Sequence, residues 1–201
     1  YIDNLKKLDN PVDKERLLFG NWEYSDDPTV LMPYTNIEDI YTSFTEPDGA
    51  TFISADIARM GVDKTVIFVW QGLTVIDAII RTKQDTNQTS IDIKTLAGKY
   101  GVPASKIVID QDGIGGGVVD QIPNCYPFMN GGRPMKHKGK VENYSNLKSQ
   151  CYFHLSKLVN AGKIKVSQKV AEMSVSGSTI KELMSEELAI IKRKDADKDG
   201  K

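Results

Sequence analysis

The stretch from Thr51 to Thr82 most constrains what this chain can fold into. Three β-rich runs, Thr51–Ala58, Thr65–Gln71 and Leu73–Thr82, follow one another with short connections. Asp63-Lys64 and Gln71-Gly72 supply the tight connections, so an antiparallel meander is expected. Apolar residues at Ile91, Ile93, Leu96, Ala97 and Tyr100 then predict a helix over Thr89–Tyr100, closed by Gly101-Val-Pro103. Lys106–Asp110 is short and nearly all apolar, the composition of a strand buried in a parallel pairing.

Further along, a helix is expected to open at Gly115–Ile122, and Tyr126–Val141 holds a strand followed by a basic loop, Arg133-Pro-Met-Lys-His-Lys-Gly-Lys140. Ser145 or Asn146 can cap a long helix that runs through Asn160 and stops at Gly162. Lys163–Val166 reads as extended, and a last helix covers about Thr179 to Ile191. A meander, a helix, a parallel strand and further helices describe an α/β ribonuclease H-like fold: a mixed sheet flanked by helices.

Two aspartates end two of these strands, and both run into glycine. Asp56 closes Phe52-Ile-Ser-Ala-Asp ahead of Ile-Ala-Arg-Met-Gly, and Asp110 closes Ile107-Val-Ile-Asp ahead of Gln-Asp-Gly-Ile-Gly-Gly-Gly117. A carboxylate at the end of a buried strand is costly to desolvate, and a divalent cation offsets that cost. An aspartate in this position also commonly caps a turn, so each alone is ambiguous. Asp63 and Asp112 are secondary candidates for metal binding; turn roles suit both better. The glycine-rich loop after Asp110 can bring backbone N–H groups to a phosphate, yet it matches neither the P-loop nor the dinucleotide fingerprint.

The formal net charge of −1 hides a strong asymmetry. Residues 131–201 carry 15 Lys+Arg against 8 Asp+Glu, a net of +7, and the preceding 130 residues carry −8. An acidic half that gathers metal beside a basic half that holds phosphate suits a nuclease, and ordinary surface charge explains it equally well. Arg133, Lys136, His137, Lys138 and Lys140 are the DNA-backbone candidates, with Lys148 near the start of the long helix; a solvated loop is the competing reading. His154 is expected to lie on a helix face. Two cysteines, Cys125 and Cys151, make neither a disulfide framework nor a metal motif. No apolar run reaches the roughly 18 residues needed to cross a membrane.

These residues carry a resemblance. Ile-Ser-Ala-Asp56-Ile-Ala-Arg-Met-Gly-Val-Asp-Lys-Thr65, Val-Ile-Asp110-Gln-Asp-Gly-Ile-Gly-Gly-Gly-Val-Val-Asp120 and Asn146-Leu-Lys-Ser-Gln-Cys-Tyr152 resemble the nuclease domain of tailed-phage terminase large subunits. Trp22, in Leu-Phe-Gly-Asn-Trp-Glu-Tyr, is similar to the segment that joins that domain to the packaging ATPase. The resemblance implies endonucleolytic cutting of double-stranded DNA with Mg²⁺ or Mn²⁺, two ions in the complete site, held by Asp56 and Asp110. It also implies partners: the ATPase domain of the same polypeptide, a small terminase subunit and a portal, in the cytoplasm of a bacterial host carrying the phage or prophage.

Two domain-level expectations follow. Residues 1–48 read as a linker or arm, and 49–201 as the nuclease domain. The chain opens at Tyr1 and lacks both a Walker-type loop and the family's third acidic residue in a Ser-Pro-Asp-like stretch, so it reads as a fragment cut short at its carboxyl end. Asp195-Ala-Asp197-Lys-Asp199-Gly200 matches the first half of an EF-hand loop, but the glutamate of position twelve is missing, and a solvated tail is expected. A junction resolvase, a transposase-like nuclease, an RNase H and a non-catalytic docking module all remain open as alternatives.

Overall fold

A mixed six-stranded sheet carries the molecule, in a computed structural model that describes residues 27, 29–42, 46–58 and 64–193. The elements in chain order begin with α1 (Tyr34–Glu38), followed by β1 (Thr51–Asp56), β2 (Lys64–Gln71), β3 (Thr74–Thr82) and α2 (Thr86–Tyr100). Next come β4 (Ile107–Asp110), α3 (Gly115–Val119), β5 (Tyr126–Phe128), β6 (Lys136–His137), β7 (Lys140–Val141) and α4 (Leu147–Asn160). The chain continues through β8 (Lys165–Val166), α5 (Gln168–Ala171), β9 (Ser174–Val175), β10 (Ser178–Thr179) and α6 (Ile180–Ala189).

The meander forms as its alternation requires. β1 pairs with β2 and β2 with β3, all antiparallel, while β4 joins the other side of β1 in parallel. β5 and β8 extend the sheet in parallel at its two edges. In β1, Ile53 and Ala55 are buried on one face, and Ser54 and Asp56 lie on the other. That period of two decides which residues meet helices and which meet the cleft described below.

Each face of the sheet has its own core. Ile53, Ile67, Val69, Ile107 and Ile109 pack with Ile93 and Leu96 of α2 and with Val118 of α3. On the opposite face Val75, Ala78 and Val166 pack with Val159 of α4, Val170 of α5 and Ile180 of α6. Met32, Ile37 and Ile40 enter this second core and are at most 1% exposed. Residues 29–42, assigned from sequence to an arm, thus supply core side chains. Their aromatic and aliphatic content finds a ready apolar face between α4 and α6.

Local chemistry sets the helix boundaries. α2 starts a turn earlier than its apolar spacing predicts, because the Asp85 carboxylate accepts from Gln88 N at 2.7 Å and caps it there. Asn146 caps α4 through Ser149 N, and Thr179 with Glu182 forms a capping box on α6. The basic loop is a hairpin, β6 with β7, rather than irregular chain. Lys138 and Gly139, with φ of 49° and 78°, make the two-residue left-handed turn that a hairpin's twist favours.

Candidate active site

The two strand-terminal aspartates meet through the parallel pairing of β1 and β4. Ile53, Ser54 and Ala55 stand opposite Ile107, Val108 and Ile109. One step further along the same register brings Asp56 beside Asp110, on strands about 4.8 Å apart. Both belong to the face carrying Ser54 and Val108, and both line one cleft of about 750 Å³.

The chain after Asp110 is built to turn sharply. Gln111 N still donates to Phe128 O at 2.8 Å, prolonging the β4–β5 ladder by a step. Asp112 N then donates to Asp110 Oδ1 at 2.9 Å, and Gly113 takes a left-handed φ of 71°. Only glycine fits at 115, since a Cβ there would meet the Asp110 carbonyl oxygen at 1.7 Å. The glycine-rich run therefore serves a close backbone approach behind the carboxylate.

Asn130, which follows β5, ties the site together. Its side-chain amide donates to Asp110 Oδ2 at 3.1 Å and to Asp112 Oδ2 at 2.8 Å, and its backbone N also donates to Asp112. Its carbonyl accepts from Lys148 N, which fixes the first turn of α4 over the strand ends. Lys148 lines the cleft, its ammonium 5.8 Å from the Tyr152 ring centroid. The Asp112 carboxylate accepts from both the backbone N and the side-chain amide of Asn130, which shapes the turn.

Three cleft residues escaped the sequence reading: Asn130, Lys64 and Glu187. Lys64 shares the parity of Val66 and Phe68 on β2, so the alternation of that strand could have placed it on the cleft face. Glu187 comes from α6, and no local sequence signal brings that helix to this sheet face. The inner wall is apolar, with Phe68, Ile80, Leu183 and Met184. Asp63 lies outside the described residues, as do Trp22 and the aspartates of the carboxyl-terminal tail.

The donor chemistry fits a hard divalent cation. Asp56 and Asp110 offer carboxylate oxygens, the ligand type of Mg²⁺ and Mn²⁺ rather than of soft metals. Among the described residues, no group of three or more His, Cys, Asp or Glu side chains is arranged to hold a metal ion. Two carboxylates are enough for Mg²⁺ when water and substrate phosphate complete its shell.

The basic candidates separate into two sets. Lys148 belongs to the cleft, whereas His137, Lys138 and Lys140 line a second cavity beneath the β6–β7 hairpin; Arg133 and Lys136 are exposed and line neither. Buried Gln150 of α4 anchors the hairpin, accepting from Met135 N at 2.7 Å and donating to Met135 O at 2.8 Å. Glu142 accepts from Gln150 and lies 2.7 Å from His154 Nε2. The Gln150 amide and the His154 imidazole hold the Glu142 carboxyl below its ordinary pKa. His154 is thus a helix-face residue, as expected from sequence, and its ring meets that of His137 edge-on at 5.3 Å.

No protein-family model and no curated protein sequence matches the chain. Solved structures do. The nuclease domain of the large terminase subunit gp2 of bacterial virus Sf6 superposes with a TM-score of 0.66 at 15% identity, over 82% of this chain and 83% of that one. A mutant of that domain with manganese and beta-thujaplicinol gives 0.66 at 16% identity, over 82% and 83%. The large terminase nuclease of thermophilic phage G20c gives 0.49 at 17% identity, over 76% and 87%. The chain has the fold of the nuclease domains of phage terminase large subunits, a ribonuclease H-like mixed sheet flanked by helices.

Proposed function

We propose that the chain is the metal-dependent endonuclease domain of a phage terminase large subunit, cutting concatemeric double-stranded DNA during genome packaging. The observation that carries this reading is the neighbouring placement of Asp56 and Asp110 on one sheet face, at the floor of a cleft that Lys64 and Lys148 also line. Asp56 and Asp110 would hold Mg²⁺ or Mn²⁺, two ions in the complete site. Bound there, the ions supply an activated water and neutralise charge developing on the leaving 3′-oxygen.

The protein's own side chains do the rest. Asn130 orients the Asp110 carboxylate, as partners of metal-binding groups commonly do. Lys148 and Lys64 offer positive charge to the DNA phosphates, and the exposed Arg133 and Lys136 add grip without reading sequence. The same reading places an ATPase domain, a small terminase subunit and a portal among its partners, inside a bacterial host.

Manganese-dependent nicking of supercoiled plasmid tests the proposal. Asp56→Ala and Asp110→Ala should each remove nicking while leaving the far-ultraviolet circular dichroism spectrum unchanged. Cutting that survives in both variants overturns the assignment. Comparison of linear duplex, branched DNA and RNA–DNA hybrid as substrates separates a terminase nuclease from a resolvase or an RNase H.

A further inference from the structure

The cavity beneath the hairpin shares no lining residue with the catalytic cleft, and its composition is different. It measures about 600 Å³, within the range of cavities that take a small ligand. Four cations line it: Lys138 and Lys140 from the hairpin, Lys157 from α4, and Arg193 beyond α6. The acidic residue among its lining, Glu142, is engaged by Gln150 and His154. The wall also holds two aromatic rings, Tyr144 and Phe153, whose centroids are 5.4 Å apart at 32°.

Arg193 makes the strongest demand for a ligand. Its backbone N donates to Thr29 O at 2.7 Å, which pins the residue beside the cavity. Among the described residues, its Nε is buried and has no hydrogen-bond partner. A guanidinium nitrogen removed from water without an acceptor is unfavourable, and three lysines lining the same cavity add repulsion. An anion placed among them relieves both costs.

The rings narrow the choice of anion. A bare phosphate or a duplex backbone needs cations alone, and an aromatic wall adds nothing to either. A nucleotide whose base has left the stack uses both features, its base against the ring and its phosphate between the cations. We infer that this cavity binds an unpaired nucleotide of a single-stranded DNA segment, with the base against Tyr144 and Phe153 and the phosphate among Lys138, Lys140, Lys157 and Arg193. A nuclease that opens or frays duplex ends would generate such a segment, but the cavity's chemistry requires only a strand without its complement.

The test uses fluorescence anisotropy with a labelled oligothymidylate and a duplex of the same length, in EDTA so that no cutting occurs. The wild-type chain should bind the single strand. Tyr144→Ala should weaken that binding roughly tenfold, the scale of one lost stacking contact, and should change duplex binding little. Arg193→Gln and Lys157→Gln should each reduce the salt dependence of single-strand binding by about 0.7 in log–log slope. Hydrogen exchange across the hairpin establishes whether Tyr144→Ala keeps the hairpin in place; if it loosens the hairpin, the two charge variants decide.

The inference is overturned if the wild-type chain ignores the oligothymidylate. It is equally overturned if Tyr144→Ala with an intact hairpin affects single strand and duplex alike, or if the two charge variants leave the slope unchanged. Plasmid nicking by the same preparations reads the cleft separately. A chain that binds single strands without nicking contradicts the nuclease reading alone, and one that nicks without binding them contradicts this inference alone.

Discussion

Gly115 lies so close behind Asp110 that a methyl group on it would overlap the Asp110 carbonyl oxygen at 1.7 Å. The contact is between backbone and backbone, so no side-chain rotation can relieve it. Helix α3 therefore starts against the end of β4, and the carboxylate is held at the strand tip by the chain that follows it. Gly115→Ala should destabilise the domain by about 1–3 kcal/mol, and a thermal melt should fall by several degrees. Nicking should drop further than stability does, because Asp110 must shift. An unchanged melt and unchanged nicking would refute this account of the loop.

Asn130 donates to both Asp110 and Asp112 and accepts from Lys148 N. Asn130→Ala removes the side-chain bonds and keeps the two backbone ones, to Asp112 and from Lys148 N. The fold should persist while manganese affinity, read by titration calorimetry, falls roughly 10- to 100-fold. Asn130→Asp is a sharper probe, since it puts a third negative charge beside two carboxylates. It also removes the amide donors to Asp110 and Asp112, so nicking should fall as it does for Asn130→Ala.

Asp77 is 6% exposed, on β3, and accepts from Lys99, Lys169, Tyr100 and Ala78 N. Burial alone would raise its pKa, but these donors outweigh it and hold the carboxyl well below its ordinary value. A group whose folded pKa is depressed adds stability above its unfolded pKa, near 3.9, and that stability fades as pH falls through the folded value. Asp77→Asn should cost about 2–3 kcal/mol at neutral pH and lose less stability than wild type on acidification below about pH 4. Parallel acid limbs in urea unfolding at several pH values would contradict this assignment.

Gln150 is 4% exposed and satisfies both backbone groups of Met135 with one amide. Gln150→Ala strands that N–H and C=O, a penalty of about 1–3 kcal/mol for each group that stays buried. The loss should appear locally. Hydrogen exchange should accelerate over residues 135–141 while β1, β2 and β4 keep their protection. Uniform acceleration across the sheet would mean that the hairpin and core unfold together.

The sheet was legible because its evidence in the sequence is local. The meander announces itself through alternation and two tight connections, and Asp56 and Asp110 stand out because apolar runs precede them. Residues that depend on tertiary contact were not legible. Asn130 is one polar residue in a loop until the chain folds it onto Asp110, and Glu187 lies on a helix whose docking is set by Ile180 and its partners in the second core. The hairpin was read as a loop because its strands are two residues each, too short for any alternation. Residues 1–48 read as a linker or an arm lying on the domain from their Asn, Asp, Pro and aromatic content; that Ile37 and Ile40 within them are almost completely buried is a tertiary outcome no local pattern announces.

The β1–β4 pairing also has a consequence in time. Its partners lie 54 positions apart, from Ile53 to Ile107, so a ribosome must deliver everything from the meander through α2 before the two carboxylates can become neighbours. Pairings of such sequence separation close late, after local hairpins and helices. A slip of one residue in that register would turn the two aspartates to opposite faces. Nascent, misfolded or truncated chains that stop short of β4 consequently cannot assemble the pair. The two carboxylates therefore become neighbours only after β4 has been made and has paired with β1 in the correct register.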